Sequence, residues 1–496
     1  MPQGNNNLGT ELVAVDVASS LKDRIDQMLG TISTDREAHL ANQAYLNGIH
    51  TPPKIPTFAT DEIKELRRRA VLNLIPLLVG IPAQISFVDG FRREGELFPP
   101  EWDAWLRNNM AAKQTAIYRA ALTYGPSYVA LEELGKKKPK YALLSTKDTV
   151  AYYTDPVNDQ YPVYALTIRS HASNTAAGRI IYYDDERIIH YSIPKGGGDR
   201  VELSNIPHNL GHCPVVRYVC SLDDEGTVRG VIEPAIPVQD RVNQTAFDLL
   251  VTQTFSSFKV RYAAGLVGEP VFNADGTPRL DAEGKQVYQP IPVSQARMLT
   301  TDDPSAKFGT LDETPLDGFI SALEAAIKQF AVIGQLPPHS LLGNMSNLSA
   351  ETLVAAMAQT MRFGHVLKTT WGASHQSLMR LAAIDMDLGE KASTDFTSEV
   401  RWRDMSDNTL GAVVDGLGKA ATMLGIPGRA LWSRMPNATA QEIKEWEAMA
   451  DEQQHDAQFG GTDPVAASRR QAPAALPATP SVPTPAEVFS TPRGNA

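Results

Sequence analysis

Gly334-Gln-Leu-Pro-Pro-His-Ser-Leu-Leu-Gly-Asn-Met-Ser-Asn-Leu-Ser-Ala-Glu351 opens directly into a run with helical apolar spacing that continues to about Met386. Ser349 is placed to cap the first turn, and Glu351 sits where the positive end of a helix dipole favours an anion. Leu353, Met357, Met361, Gly364, Leu367, Trp371, Ser374, Leu378 and Leu381 then recur every three or four residues, which marks one buried helical face. A helix of ~35 residues spans about 50 Å, longer than a compact domain needs. A proline-glycine loop tethered to such a strut suits mechanical positioning better than catalysis.

The rest of the chain is read outward from this strut. Its 496 residues allow several domains and a sizeable core. The net charge of −11 supplies no bulk basic field to draw DNA or anionic lipid. Cys213 and Cys220, the only cysteines, cannot build a disulfide framework for this length and fit a reducing compartment. Met1–Thr10 lacks the pattern of a secretory signal. The most apolar window, Ala70–Val88, is broken by Asn73, Pro76, Gly80, Pro82 and Gln84, so no membrane span is expected.

Upstream, Glu11–Gly48 reads as two helices, followed by a proline-rich link, a helix over Asp61–Val79 and another over Pro100–Tyr124. Strand-like runs follow at Ser127–Glu133, Tyr141–Ser145, Val150–Thr154, Val163–Arg169, Arg179–Tyr183 and Arg187–Ile193, predicting an antiparallel sheet that ends near Val219. A helix over Pro237–Phe258 has an apolar stripe of Val238, Val242, Ala246 and Leu249. Its polar row is Asp240, Gln244, Asp248 and Thr252. Short strands and turns occupy Lys259–Leu311, including Asn273-Ala-Asp275-Gly276, where Asp-Gly signals a hairpin. Thr314, Pro315 and Asp317 start another helix, with Ile320, Leu323, Ile327 and Phe330 on one side and a Glu324–Lys328 pair on another. Asp395–Ala450 reads as helical. Asp451–Ala496, rich in Pro, Ala, Ser, Thr and Gln, is expected to be disordered.

Several phrases occur in the order found in the portal (head-to-tail connector) proteins of tailed phages, and the chain resembles their actinobacteriophage type. They are Tyr45-Leu-Asn-Gly-Ile-His50, Val88-Asp-Gly-Phe91, Trp105-Leu-Arg-Asn-Asn109 with Ala121-Leu-Thr-Tyr-Gly125, Asn209-Leu-Gly-His-Cys-Pro-Val-Val216, Pro237-Val-Gln-Asp-Arg-Val-Asn243, Leu336-Pro-Pro-His-Ser-Leu-Leu-Gly343 and Asn347-Leu-Ser-Ala350. The resemblance implies an α+β phage portal fold: a wing over residues 1–228, a first stem helix over 229–258, a clip over 259–312 and a second stem helix over 313–334. It further implies a tunnel loop over 335–348, a long wing/crown helix over 349–394, a helical crown over 395–450 and a disordered tail over 451–496.

By the same resemblance, about a dozen subunits form a homo-oligomeric ring at one capsid vertex of a virion assembled in the host cytoplasm. Double-stranded DNA passes through the ring. The implied partners are the terminase large subunit, a head-tail adaptor, and the major capsid and scaffold proteins, with no membrane, cofactor or catalytic residue. Gly343, Asn344, Met345, Ser346 and Asn347 would form the tunnel loop, Asp240, Gln244 and Asp248 the channel-lining stem, and Asp275 and Gly276 the docking edge for terminase. The tunnel segment carries no charge, in keeping with a wall that must not brake DNA through phosphate contacts.

Other motifs read as structure. His208, His212 and Cys213 lack a fourth ligand. Gly196-Gly-Gly198 lacks the Lys-Ser/Thr of a phosphate loop. Asp184-Asp-Glu186 and Asp223-Asp-Glu225 are adjacent carboxylates that read as solvated turns, and Lys136-Lys-Lys-Pro-Lys140 reads as an exposed hairpin tip. Two other readings stand beside the portal one: another phage head or connector protein, and a metal-dependent nucleic-acid enzyme using one of the acidic clusters.

Overall fold

The computed structural model describes residues 10–11, 20–55, 57, 59–93, 96–135, 137–256, 261–264, 270–289, 307–310, 315–343, 350–403, 410–435, 438 and 440–459. The chain divides into two compact units, the first ending at Met405 and the second starting at Ser406.

The first unit begins with β1 (Thr10–Glu11), α1 (Leu21–Asn47), α2 (Asp61–Arg69), α3 (Ile75–Gln84), β2 (Val88–Arg93), β3 (Glu96–Leu97), α4 (Trp102–Arg107) and α5 (Met110–Tyr124). Strands β4 (Pro126–Glu132), β5 (Lys140–Leu144), β6 (Thr149–Tyr152), β7 (Tyr164–Ser170), β8 (Gly178–Tyr183), β9 (Arg187–Ile193), β10 (Val201–Pro207), β11 (Val215–Val219) and β12 (Thr227–Val228) follow. Then come α6 (Ile236–Ser256), β13 (Arg261–Ala264), β14 (Lys307–Thr310), α7 (Asp317–Ile333), α8 (Pro338–Leu342), α9 (Ala350–Asp385), α10 (Glu390–Ser393) and β15 (Glu399–Trp402). The second unit holds α11 (Leu410–Leu424), α12 (Gly428–Trp432) and α13 (Ala440–Phe459), with Arg429 of α12 bonded to Asp451 and Gln454 of α13 at 2.6 and 3.0 Å.

The core of the first unit is layered. A five-stranded antiparallel sheet in the order β10-β9-β8-β7-β6 lies between α1 and a three-stranded sheet, β11-β4-β5. In β8, Ile180 and Tyr182 pack under Ile25, Met28 and Ile32 of α1, while Ile181 and Tyr183 pack towards Tyr128, Leu144 and Val215 of the smaller sheet. Burial on both faces explains why this strand is an unbroken apolar run rather than an alternation. Among the described residues no helix is long and apolar enough to cross a membrane.

Several expected elements differ in extent. Leu21–Asn47 is one helix, not two, started by Ser20 Oγ accepting from Asp23 N at 3.2 Å. The helix expected over Asp61–Val79 breaks at Ala70–Leu74, because Asn243 and Gln239 of α6 take the amides of Leu72 and Leu74. Pro100–Tyr124 breaks at Asn109, which adopts a left-handed φ of 52°. Strand β10 was not expected. Within the expected helical crown, Glu399–Trp402 is a strand paired with β2, and the expected tail starts as helix, since α13 runs to Phe459. The expected tunnel loop holds the short helix α8, with Pro338 in its first turn and Gly343 ending it at φ 70°.

Candidate functional site

The two helices expected as the stem are α6 and α7, and they pack as a pair. Arg241 of α6 donates to Gln329 of α7, and the expected Glu324–Lys328 pair is present at 3.6 Å. Burial on α7 is confined to its last two turns, at Ala326, Ile327, Phe330 and Ala331. Ile320, expected on the buried face, is exposed, and so is Phe255 near the end of α6. The outer half of the pair has no core of its own.

The inner half of α6 is bound to the N-terminal helix and the linker that follows. Asp240 accepts from the Tyr45 hydroxyl at 3.0 and 3.1 Å, and burial together with that bond pushes the Tyr45 phenol up to about 12. Gln244 accepts from Lys54 N at 3.0 Å and donates to Asp248 at 3.0 Å. Gln239, wholly buried, accepts from Leu74 N at 3.0 Å and donates to Leu72 O at 2.7 Å. Asn243 Oδ1 accepts from Leu72 N and from Gln239 Nε2, both at 3.0 Å, while its Nδ2 lies 2.8 Å from His50 Nε2. The sequence placed Asp240, Gln244 and Asp248 on one row, and they share it. It missed Gln239 and Asn243, whose four-residue spacing between that row and the apolar stripe was the available signal.

Beyond α7 the chain turns back along α9. Leu336 is buried, and Thr360 of α9 donates to Gln335 O at 2.6 Å, fixing where the returning segment meets the long helix. Gly343 is exposed at the end of α8. Asn344, Met345, Ser346 and Asn347, with the expected cap Ser349, lie outside the described residues. Helix α9 has 36 residues, close to the ~35 read from the sequence. Among its described side chains the buried face includes Thr360, Gly364, Leu367, Trp371, Leu378 and Leu381, whereas Met361 is exposed. Among the described residues the strut is gripped from Thr360 onwards.

The grip centres on His375, which sequence reading missed although it lies one turn from Trp371 on the predicted face. Gln114 is oriented by both main-chain groups of Val88, accepting at 2.8 Å and donating at 3.1 Å. Tyr118 donates to Gln114 Oε1 at 3.2 Å, so its oxygen accepts from His375 Nε2 at 2.7 Å; Nδ1, 3.0 Å from the Tyr218 hydroxyl, is then the acceptor. Burial holds the imidazole neutral, down to about 3. At the helix's far end, the Gly135 amide donates to Asp385 at 2.7 Å and Lys137 pairs with Asp387 at 3.0 Å. The basic hairpin tip thus sits where a cation suits a helix C-terminus.

Between α6 and α7 lies the antiparallel pair β13–β14. In the chain between these two strands, Gly276 and Gly284 take φ values of 80° and 79° at two tight turns eight residues apart. Asp275 accepts from Thr277 N and Oγ1 at 3.0 and 2.6 Å, and the Thr277 bonds hold its carboxyl below the usual range. The segment is an octapeptide repeat that the sequence reading missed: Val271-Phe-Asn-Ala-Asp-Gly and Arg279-Leu-Asp-Ala-Glu-Gly. Val271 N donates to Val287 O at 2.9 Å, Val287 N to Arg279 O at 2.8 Å, and Arg279 N to Val271 O at 2.9 Å, which closes a triangle. Phe272, Leu280 and Tyr288, at equivalent positions, are all exposed.

The remaining motifs are consumed locally. Asp184 Oδ1 accepts from the amides of Glu186 and Arg187, and Asp223 from those of Glu225 and Thr227. His208 bonds Asp184 O at 3.1 Å, His212 stacks on Tyr161, and the Cys213 thiol lies against Tyr183 O, so the three do not converge. Burial pushes both thiols up, Cys220 to about 12.

No curated protein matches the chain. Among solved structures, the neck of an empty GTA particle computed with C6 symmetry is similar at 14% identity and a TM-score of 0.40, covering 76% of this chain and 92% of that one. The neck of a native GTA particle computed with C12 symmetry is similar at 13% identity and 0.40, over the same shares. The virion of a native gene transfer agent is similar at 14% identity and 0.36, covering 80% of this chain and 95% of that one. The profile of the family described as "Phage portal protein, SPP1 Gp6-like" matches residues 26–456, nearly the whole chain, and the chain belongs to that family.

Proposed function

We propose that copies of this chain pack side by side into a ring of about a dozen at one capsid vertex, around a hole that passes double-stranded DNA during packaging and ejection. Membership of the portal family carries this reading. The exposed Ile320 and Phe255 support it, since apolar side chains on the outer half of a stem have neighbouring copies to pack against. The passage is polar to acidic. Asp240 and Asp248 are the exposed carboxylates of the row, Asp240 with the Tyr45 hydroxyl bonded to it and Asp248 with Gln244. Uncharged Gly343–Asn347 approaches the duplex and grips it weakly. The 270–289 insert, with Asp275 and Gly276, docks the terminase large subunit and later the head-tail adaptor. The wing meets the major capsid and scaffold proteins, and ATP chemistry stays with the motor.

Negative-stain microscopy of the purified chain is expected to show perforated rosettes. Persistently isolated globules would overturn the ring. Asn344→Arg or Ser346→Arg adds a phosphate-binding cation to the proposed loop and should slow or stall DNA packaging; normal packaging in both would remove the loop from the passage.

A further inference from the structure

The bonds that join α6 to the Ala70–Leu74 linker have a fixed polarity, and it ends on a histidine. Main-chain groups orient Gln239, because the Leu74 amide can only donate and the Leu72 carbonyl can only accept. The Leu72 amide likewise fixes Asn243, whose Oδ1 must face it at 3.0 Å. Asn243 Nδ2 therefore points its hydrogens at His50 Nε2, 2.8 Å away, and that nitrogen must be the acceptor. The ring is stacked face to face on Tyr45 at 4.3 Å and is buried, so water does not compete for the position.

We propose that these bonds form a proton-operated clasp: neutral His50 holds the linker on the stem helix, and a proton on Nε2 releases it. Protonation sets N–H against N–H. Turning the Asn243 amide over does not relieve the conflict; it moves it to the Leu72 amide, which then faces the Asn243 donor. Either way one buried donor at the junction of linker and α6, Asn243 Nδ2 or the Leu72 amide, loses its acceptor, and the junction is weakened. The titratable side chains facing His50 are Tyr45 on α1 and Asp240 on α6, while the linker, Ala-Val-Leu-Asn-Leu, brings no charge. Burial, the largest influence, moves the imidazole below its ordinary value; the Asp240 charge and the Ala44 carbonyl oppose this. The sign follows. An open, hydrated His50 binds a proton more readily than the clasped one, so acid favours opening, starting below about pH 6.5.

Hydrogen–deuterium exchange on the full-length chain tests this, read on peptides carrying Leu72 and Leu74 and corrected for intrinsic exchange rates. Between about pH 7.5 and about pH 5, protection of these amides in the native chain should fall by about tenfold. In His50→Gln, whose side-chain oxygen accepts without titrating, protection should be the same at both pH values. Asn243→Asp should reverse the dependence, since a carboxylate accepts from Leu72 and attracts the imidazolium; it remains informative if the first variant does not fold. Unchanged protection in the native chain, or an acid loss of protection in either variant like that of the native chain, would overturn the clasp.

Discussion

His375 shows how much of this chain's order depends on single polar atoms inside it. The imidazole is the last link in a line running from the Val88 main chain through Gln114 and Tyr118, and it accepts the Tyr218 hydroxyl. His375→Phe keeps the volume but leaves the Tyr218 hydroxyl buried without its partner, at an expected cost of about 2–4 kcal/mol in chemical denaturation. Because the folded value, about 3, lies below the ordinary 6.5, unfolding takes up a proton. The contribution is whole above 6.5 and is lost as pH falls towards 3. His39, held at about 4 chiefly by burial, acts in the same direction. His375→Gln should therefore flatten the acid slope of stability below pH 6.5 relative to the native chain. Little of this was legible in the sequence. A polar residue on an apolar stripe looks like noise in the pattern until its partners, here Tyr118 and Tyr218, are brought from elements far away in the chain.

Among the elements, those with long periodic patterns were legible and those shaped by a distant neighbour were not. Helix α9 and strands β4 to β9 follow from their own residues. The break at Ala70–Leu74 does not: the local apolar pattern continues through it, and only Gln239 and Asn243 explain why those amides leave the helix. Of the proposed site, the sequence captured the Asp240–Asp248 row and the Asp275–Gly276 turn, but not that Tyr45 and Lys54 bond to two members of the row. One joint is set by close approach. A Cβ on Gly230 would lie 2.4 Å from Thr123 O and 3.0 Å from Leu122 O, where the chain runs from β12 to α6. Gly230→Ala must push main chain apart and should lower stability by about 1–3 kcal/mol, seen as a reduced melting temperature. Lys137→Glu, which opposes Asp387 and the end of α9, should cost about 0.5–1 kcal/mol, less at high salt.

For the whole molecule, the proposed ring of an acidic chain predicts a passage that touches DNA lightly. Purified rings should bind duplex DNA weakly, with an affinity that falls only shallowly as salt rises, because few phosphates are neutralised. A steep salt dependence in a filter-binding titration would instead require a cationic wall. In the segment between α6 and α7, the triangle through Val271, Arg279 and Val287 has a different kind of consequence. Its three bonds use only main-chain atoms, so side chains between the corners are free to drift without undoing it. The number of residues is not free: removing one octad deletes a corner and undoes the other two. Evolution can therefore rewrite the letters of this arm easily, but can change its length only by rebuilding the whole figure.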